Sequence, residues 1–514
     1  MLGWIKGFRS DHPLDDKEGG RLLLAGLETK DPVTALEEVS GYLDQVKTAD
    51  GLAALRGYEI VDLLDRTARP QYRKLNQLYV SEAHRLTKFQ QGRIAAAAGT
   101  LCQQLADGYR FCLAKYEVGA IGASALRQHL PRITARAIRA YGGQLKWSLL
   151  RYGPVEGRTW EGLGQLYVAA QSLGFLGEPL VLYRGSTGRS SPEHEFLKVL
   201  MLAVSSPDSL LPIQLDITER LIARFAPNLA SSRQAGDGLH YVFELSAARA
   251  PGRLARISGL PPSTLFFGPG TASRQVDELI AVIEQHNAVP SDLTLGTEHR
   301  LERVEEALRH LQRYWSRDLP ERRQRRRRHV ESVTVVHEFA EVVANAGGLF
   351  LESPFISNDE TWTVEDKSEG GFSAVVREPQ GHWIRVGQLI GVRRDEGVTW
   401  AVGIVRRVTS DEQGNRRVGV ELLSHGGAAV TVLPAAISER DEGIAPDGEI
   451  CVLLSSSSVQ TGEVTLLMRP GLFRRGRELA MRAYDRSYVL SPLGLSEKGE
   501  DFELVRFRIG SQPG

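Results

Sequence analysis

Residues 321–336 read ERRQRRRRHVESVTVV, and residues 361–376 read TWTVEDKSEGGFSAVV. The first stretch packs six arginines into the seven positions from Arg322 to Arg328, then changes to a Val- and Thr-rich run. The second is a pair of β-compatible runs joined by Asp, Lys, Ser, Glu and two glycines, the residue types of a tight turn. Pro320 stands just ahead of the arginines and disfavours helical geometry in the residue before it. The character of the chain is expected to switch here, from helix to strand.

Upstream, apolar residues recur at three- and four-residue spacing in DPVTALEEVSGYLDQV, in GLAALRGYEIVDLLDRTA and from Gln71 to Tyr116. Asp31 before Pro32 is a helix start with its own cap. WEGLGQLY at Trp160 fits the first half of a tetratricopeptide signature, but Leu176 and Leu180 break the second half and no further copy follows. HYVFELS and STLFFG read as short strands. Helix then resumes in GTEHRLERVEEALRHLQRYW, whose Leu301, Val304, Leu308, Leu311 and Trp315 form one apolar stripe. Downstream, HVESVTVVHEF, TWTVED, GFSAVV, QLIGVRR, TWAVGIVRRV and RRVGVELLS read as strands of a small antiparallel sheet or barrel. AAVTVLP, GEICVLLS, GEVTLLMRPGLF and runs after Arg477 are more strands than one barrel needs. We expect a multidomain α+β chain with four parts: a helical domain at 1–230, a mixed segment with short strands and a connecting helix at 231–319, a β-barrel at 320–425, and a C-terminal β-rich domain or barrel extension at 426–514.

The chain has 514 residues, which at roughly 150 per domain favours several domains. Its 63 Lys+Arg equal its 63 Asp+Glu, which argues against a surface given over wholly to nucleic acid or membrane. Cys102, Cys112 and Cys451 are widely spaced and odd in number, so a reducing, cytoplasmic location is expected. The first twenty residues lack the apolar core of a signal peptide, and no run approaches the 18 apolar residues of a membrane span. Trp4, Ile5 and Phe8 read as a small anchor packed on the domain rather than a membrane contact.

Catalytic patterns are not found. HEFLK at His194 and HEFAE at His337 lack the second histidine of a zinc-protease helix, the latter within a strand-like run. There is no nucleotide-triphosphate loop and no nucleophile elbow. We expect a protein that is not an enzyme, with no metal and no cofactor.

Asp366, Ser368 and Gly371 form the pattern D-x-S-x-x-G, read as lying on the turn between TWTVED and GFSAVV, with Gly370 adjacent. Such a turn can bring a carboxylate, a hydroxyl and bare backbone to one ligand edge. With an R-x-x-x-R motif just before the first strand, the combination resembles the PilZ domain, a bacterial receptor for cyclic di-GMP. GQLIGV, AVGIVRR with Arg406, and VGVEL at 418–422 continue the resemblance over about residues 320–425. Arg323 with Arg327, preceded by Arg322, aligns best, and Arg322 with Arg326 fits the same spacing. Arg325 does not, since His329 lies four residues on. NAGGLFLESPFISNDE makes the distance to Asp366 longer than usual and reads as an inserted loop.

The resemblance implies cyclic di-GMP as ligand, with arginines on phosphates and guanine edges, Asp366 accepting from guanine N1 and N2, Ser368 adding a hydroxyl bond and Gly371 allowing close approach. The arginine run repels itself, so the free segment is expected to be mobile and to order on binding, moving the helix that ends at Trp315. Output would pass through the helical half to a protein partner; nucleic acid is not the expected partner. The rival readings are a nonspecific nucleic-acid or anionic-surface arm and a degenerate scaffold acting by protein contacts alone.

Overall fold

The computed structural model describes residues 10–511 except 83–84, 186–187, 257–258, 294, 296–298, 319–326, 349–358, 378, 380–382, 396, 435–447, 456–461 and 484–485. The chain divides into two compact units, Met1–Pro320 and Glu321–Gly514.

The first unit begins with helices α1 (Lys17–Glu28), α2 (Pro32–Thr48), α3 (Ala54–Ser81), α4 (Lys88–Glu117) and α5 (Leu130–Leu150). Asp31 caps α2 as its sequence requires, its carboxylate accepting from the Val33 and Thr34 amides at 3.0 and 3.2 Å. A Thr87–Gln90 capping box starts α4, so the periodic run from Gln71 to Tyr116 is two helices. Helices α6 (Gly157–Ser172), α7 (Pro192–Val204) and α8 (Pro212–Phe225) follow, then strands β1 (Ala230–Ser232), β2 (Tyr241–Glu244), β3 (Gly252–Arg253) and β4 (Thr264–Gly268) in the order β1-β4-β2-β3. The W-x2-L-G-x2-Y stretch is α6, and its glycine has a local reason. A Cβ on Gly164 would stand 2.0 Å from the Leu245 carbonyl oxygen, so only glycine lets α6 meet the chain after β2.

Helices α9 (Ala272–His286) and α10 (Leu301–Trp315) close the unit. Val304, Ala307, Leu308, Leu311 and Trp315 of α10 are buried, as the stripe requires. The Trp315 indole donates to Ser205 Oγ at 2.9 Å, satisfying its one polar atom inside the core.

The second unit is two closed six-stranded antiparallel barrels. The first uses β5 (Arg327–Val336), β6 (Glu360–Ser368), β7 (Gly371–Val376), β8 (Leu389–Arg394), β9 (Ala401–Ser410) and β10 (Arg416–Ser424), in the order β10-β7-β6-β5-β8-β9. Between β5 and β6 lies helix α11 (Phe339–Ala346). HVESVTVVHEF is therefore strand only to Val336, and HEFAE opens a helix with Glu338 at its N-cap, where strand was expected. The physical reason is packing: Phe339, Val342, Val343 and Ala346 are buried together with residues of both barrels, and only a helix puts all four on one side.

The second barrel uses β11 (Gly427–Pro434), β12 (Glu449–Leu454), β13 (Glu463–Met468), β14 (Leu479–Ala483), β15 (Arg486–Lys498) and β16 (Glu503–Ser511), in the order β11-β12-β13-β16-β15-β14. GEVTLLMRPGLF is strand only to Met468, since Pro470 cannot extend the ladder. Leu389, Val402 and Ile404 of the first barrel share a core with Val452, Leu454, Leu467 and Leu504 of the second. The two barrels are thus one folded body around α11.

Candidate ligand-binding site

The site is built on the β6–β7 hairpin and the start of β5. Ser368 and Gly371 are register partners, so only Glu369 and Gly370 make the turn. Asp366 and Ser368, expected on the turn itself, are the last residues of β6 instead. Ser368 Oγ donates to the Gly371 carbonyl oxygen at 3.1 Å and fastens the turn. The Leu422 amide donates to the Gly370 carbonyl at 3.0 Å, so β10 braces it from the side. Gly371 has a requirement of its own: at φ +158° a Cβ would stand 2.1 Å from the Val420 carbonyl oxygen. The close approach that its glycine allows is to the backbone of β10.

β5 brings its first residues alongside this hairpin. Arg327 pairs with Lys367 and Arg328 with Asp366, so a cation and a carboxylate stand directly across the strand pair at Arg328 and Asp366. Both arginines are exposed. A register shift between Arg328 and Glu331 marks a bulge, as does one between Val364 and Asp366 on the β7 side. Bulges re-aim side chains and are common at barrel rims beside functional sites. Arg322, Arg323 and Arg326 lie outside the described residues, so of the candidate motif arginines Arg327 alone is placed.

A second set of charges, not singled out from the sequence, surrounds this pairing. Glu331 accepts from Lys367 Nζ at 3.2 Å and from His329 Nε2 at 3.1 Å, with Arg394 Nε 3.9 Å away. Partial burial alone would raise the Glu331 carboxyl, but the Lys367 and His329 hydrogen bonds and the Lys367 and Arg394 charges hold it below its ordinary value. Glu331 thereby fixes the Lys367 side chain against β5. The sequence signal was available in the spacing: Glu331 is four residues after Arg327, on the strand that pairs with D-K-S.

Arg406, in the V-R strand of the resemblance, has a different use. Its Nε donates to Glu421 at 2.6 Å, and its Nη1 and Nη2 donate to Glu497 at 2.5 and 2.7 Å. This bidentate fork ties β9 to β15 of the second barrel. Among the described residues no group of three or more His, Cys, Asp or Glu could hold a metal ion, and no helix is long and apolar enough to cross a membrane. The three thiols are buried, and burial pushes each up to about 12.

Two family models match the chain. Residues 20–234 match the N-terminal domain of the cyclic-di-GMP receptor FimW, and residues 358–428 match that receptor's middle PilZ domain. The second match holds Asp366, Ser368, Gly370 and Gly371 and begins after the arginine run. No curated protein and no solved structure matches. Residues 358–428 are thus a PilZ domain, and residues 20–234 ahead of it are similar to the N-terminal domain of the cyclic-di-GMP receptor FimW.

Proposed function

We propose that this chain is a cytoplasmic receptor that binds cyclic di-GMP at the start of β5 and the β6–β7 hairpin, without catalysing a reaction. The observation that carries the reading is the register of β5 on β6, which sets Arg327 and Arg328 against Lys367 and Asp366 beside the braced hairpin of the PilZ domain. The ligand is a dianion with two guanine bases. Arginine serves both parts, because guanidinium is planar, permanently charged and forks onto phosphate or the guanine O6/N7 edge. Asp366 accepts from guanine N1–H and N2–H. The Ser368 hydroxyl hydrogen is used on Gly371, so Ser368 serves the ligand with its remaining acceptor lone pairs. The binding set is Arg322, Arg323, Arg326, Arg327, Asp366, Ser368, Gly370 and Gly371, with Arg323–Arg327 as the motif pair.

The dianion neutralises the arginine run, and this change reaches α10, the last helix before the junction, so that the helical unit presents itself differently to a protein partner. The ligand drives this shift only by its greater affinity for the bound arrangement. Isothermal calorimetry on the whole chain tests the reading. Heat of binding with cyclic di-GMP, absent with guanosine and lost in Arg323→Ala, supports it; no heat with cyclic di-GMP overturns it. A nonspecific arginine arm would instead bind any polyanion with a steep salt dependence and ignore Asp366→Ala.

A further inference from the structure

The helical unit holds a second concentration of cations, unrelated to the arginine run. Tyr183, in the segment after α6, is the shelf on which it is built. The Arg69 guanidinium carbon lies 3.5 Å from the Tyr183 ring centroid, that of Arg136 at 4.3 Å and that of Arg139 at 5.9 Å. The Tyr183 hydroxyl hydrogen-bonds to Asp65 at 3.2 Å, which holds the ring in place. Three guanidinium groups from α3 and α5 thus gather on one aromatic ring.

Their donors are unequally used. Arg136 is consumed inside the fold, donating to the Leu182 carbonyl from Nε and Nη2 at 3.0 and 2.6 Å, and to Tyr109 and Asp62 from Nη1. Among the described residues Arg139 has one ion-pair partner, Glu195, at 3.4 Å, and its side chain is 45% exposed. That carboxylate is already shared, accepting from Lys198 at 2.5 Å and Ser190 at 2.6 Å. Arg69 makes no hydrogen bond and no ion pair among the described residues, although it is half-buried against the ring. The cation–π contact with Tyr183 offsets part of the hydration lost, but the N–H donors of Arg69 have no acceptor among the described residues. Arg73, exposed one turn further along α3, adds its charge to the same neighbourhood. Burial chiefly, with the charges of Arg73 and Arg139, lowers the proton affinity of Arg69 against the opposing pull of Tyr183 and Asp65.

We propose that Arg69 and Arg139, seated on Tyr183 with Lys198 beside them, form an oxyanion site that takes a phosphate group, either free phosphate or the phosphate of a small monoester. Two guanidinium forks from different helices suit a tetrahedral oxyanion with several acceptor oxygens, more than a carboxylate offers. The site belongs to the helical unit and does not depend on the PilZ site.

The test uses the whole chain, following the unfolding of the helical unit by circular dichroism while inorganic phosphate or GMP replaces sodium chloride at matched ionic strength. Wild type and Arg327→Ala are both expected to melt higher in phosphate or in GMP than in chloride, which separates this site from the barrel. A response to inorganic phosphate identifies the free anion, and a response to GMP alone identifies a monoester. Arg69→Gln is expected to weaken the response at least tenfold in midpoint concentration, as is Arg139→Gln. Arg69 carries no structural hydrogen bond, so the folded state of Arg69→Gln is readily checked in chloride. A wild-type chain that responds to neither ligand overturns the proposal, as does a folded Arg69→Gln chain that keeps the full response.

Discussion

At the residue scale the site depends on contacts that point away from the ligand as much as toward it. Gly371 is required because β10 backbone occupies the space of a Cβ, with the Val420 carbonyl oxygen 2.1 Å from where it would stand. Gly371→Ala must therefore push the hairpin off β10, and it is expected to cost about 1 to 3 kcal/mol, read as a lower midpoint in urea. It should weaken ligand binding as well, because Asp366 and Ser368 ride on the same hairpin. Glu331 holds Lys367 and His329 beside the proposed site by hydrogen bonds at 3.2 and 3.1 Å.

At the element scale, buried charge organises the helical unit. Lys146 on α5 donates to Asp216 on α8 at 2.5 Å, and Asn76 of α3 and Arg220 donate to the same carboxylate at 2.9 and 2.8 Å. Burial would raise the Asp216 carboxyl, but the charges of Lys146 and Arg220 and these hydrogen bonds lower it from 3.8 to about 2. A lowered carboxyl stabilises the fold above its unfolded value and loses that contribution as pH falls through the folded one. The helical unit should thus lose about 2 kcal/mol between roughly pH 4 and pH 2 from this group alone. Asp216→Asn should flatten that limb in acid denaturation while destabilising the unit at neutral pH by about 2 kcal/mol, because buried Lys146 loses one of its two carboxylates and keeps Glu219 at 2.7 Å. Much at this scale was legible in the sequence. The stripe of α10 is strongly periodic, and the strands of both barrels carry Val, Ile and Thr between turn residues. Helix α11 was not legible, because FAEVVANA follows a strand without a break and its helical state is set by two barrels packing around it. The arginine register was not legible either, since an excess of identical side chains satisfies the motif in more than one way, whereas S-E-G-G fits the two-residue turn that the structure shows.

At the scale of the whole molecule, equal numbers of cations and anions conceal an uneven distribution. In the first barrel many basic side chains have carboxylate partners, as Arg406, Arg417 and Lys367 do, while Arg327 and Arg328 at the head of β5 are exposed. Two compact units predict two calorimetric unfolding transitions. Cyclic di-GMP at about a hundredfold excess over its Kd should add about 2.7 kcal/mol to the barrel unit, raising that transition by roughly 5 to 10 °C. Asp366→Ala should cut that added stability to about half or less. The central claim is that cyclic di-GMP is held between the head of β5 and the β6–β7 hairpin, and calorimetric titration of wild type, Arg327→Ala and Asp366→Ala with cyclic di-GMP tests it most directly. The account predicts saturable binding by wild type and a loss of about 1 to 3 kcal/mol, roughly tenfold to a hundredfold in Kd, in each variant. Wild-type affinity in both variants, or no binding by any of the three, would contradict it.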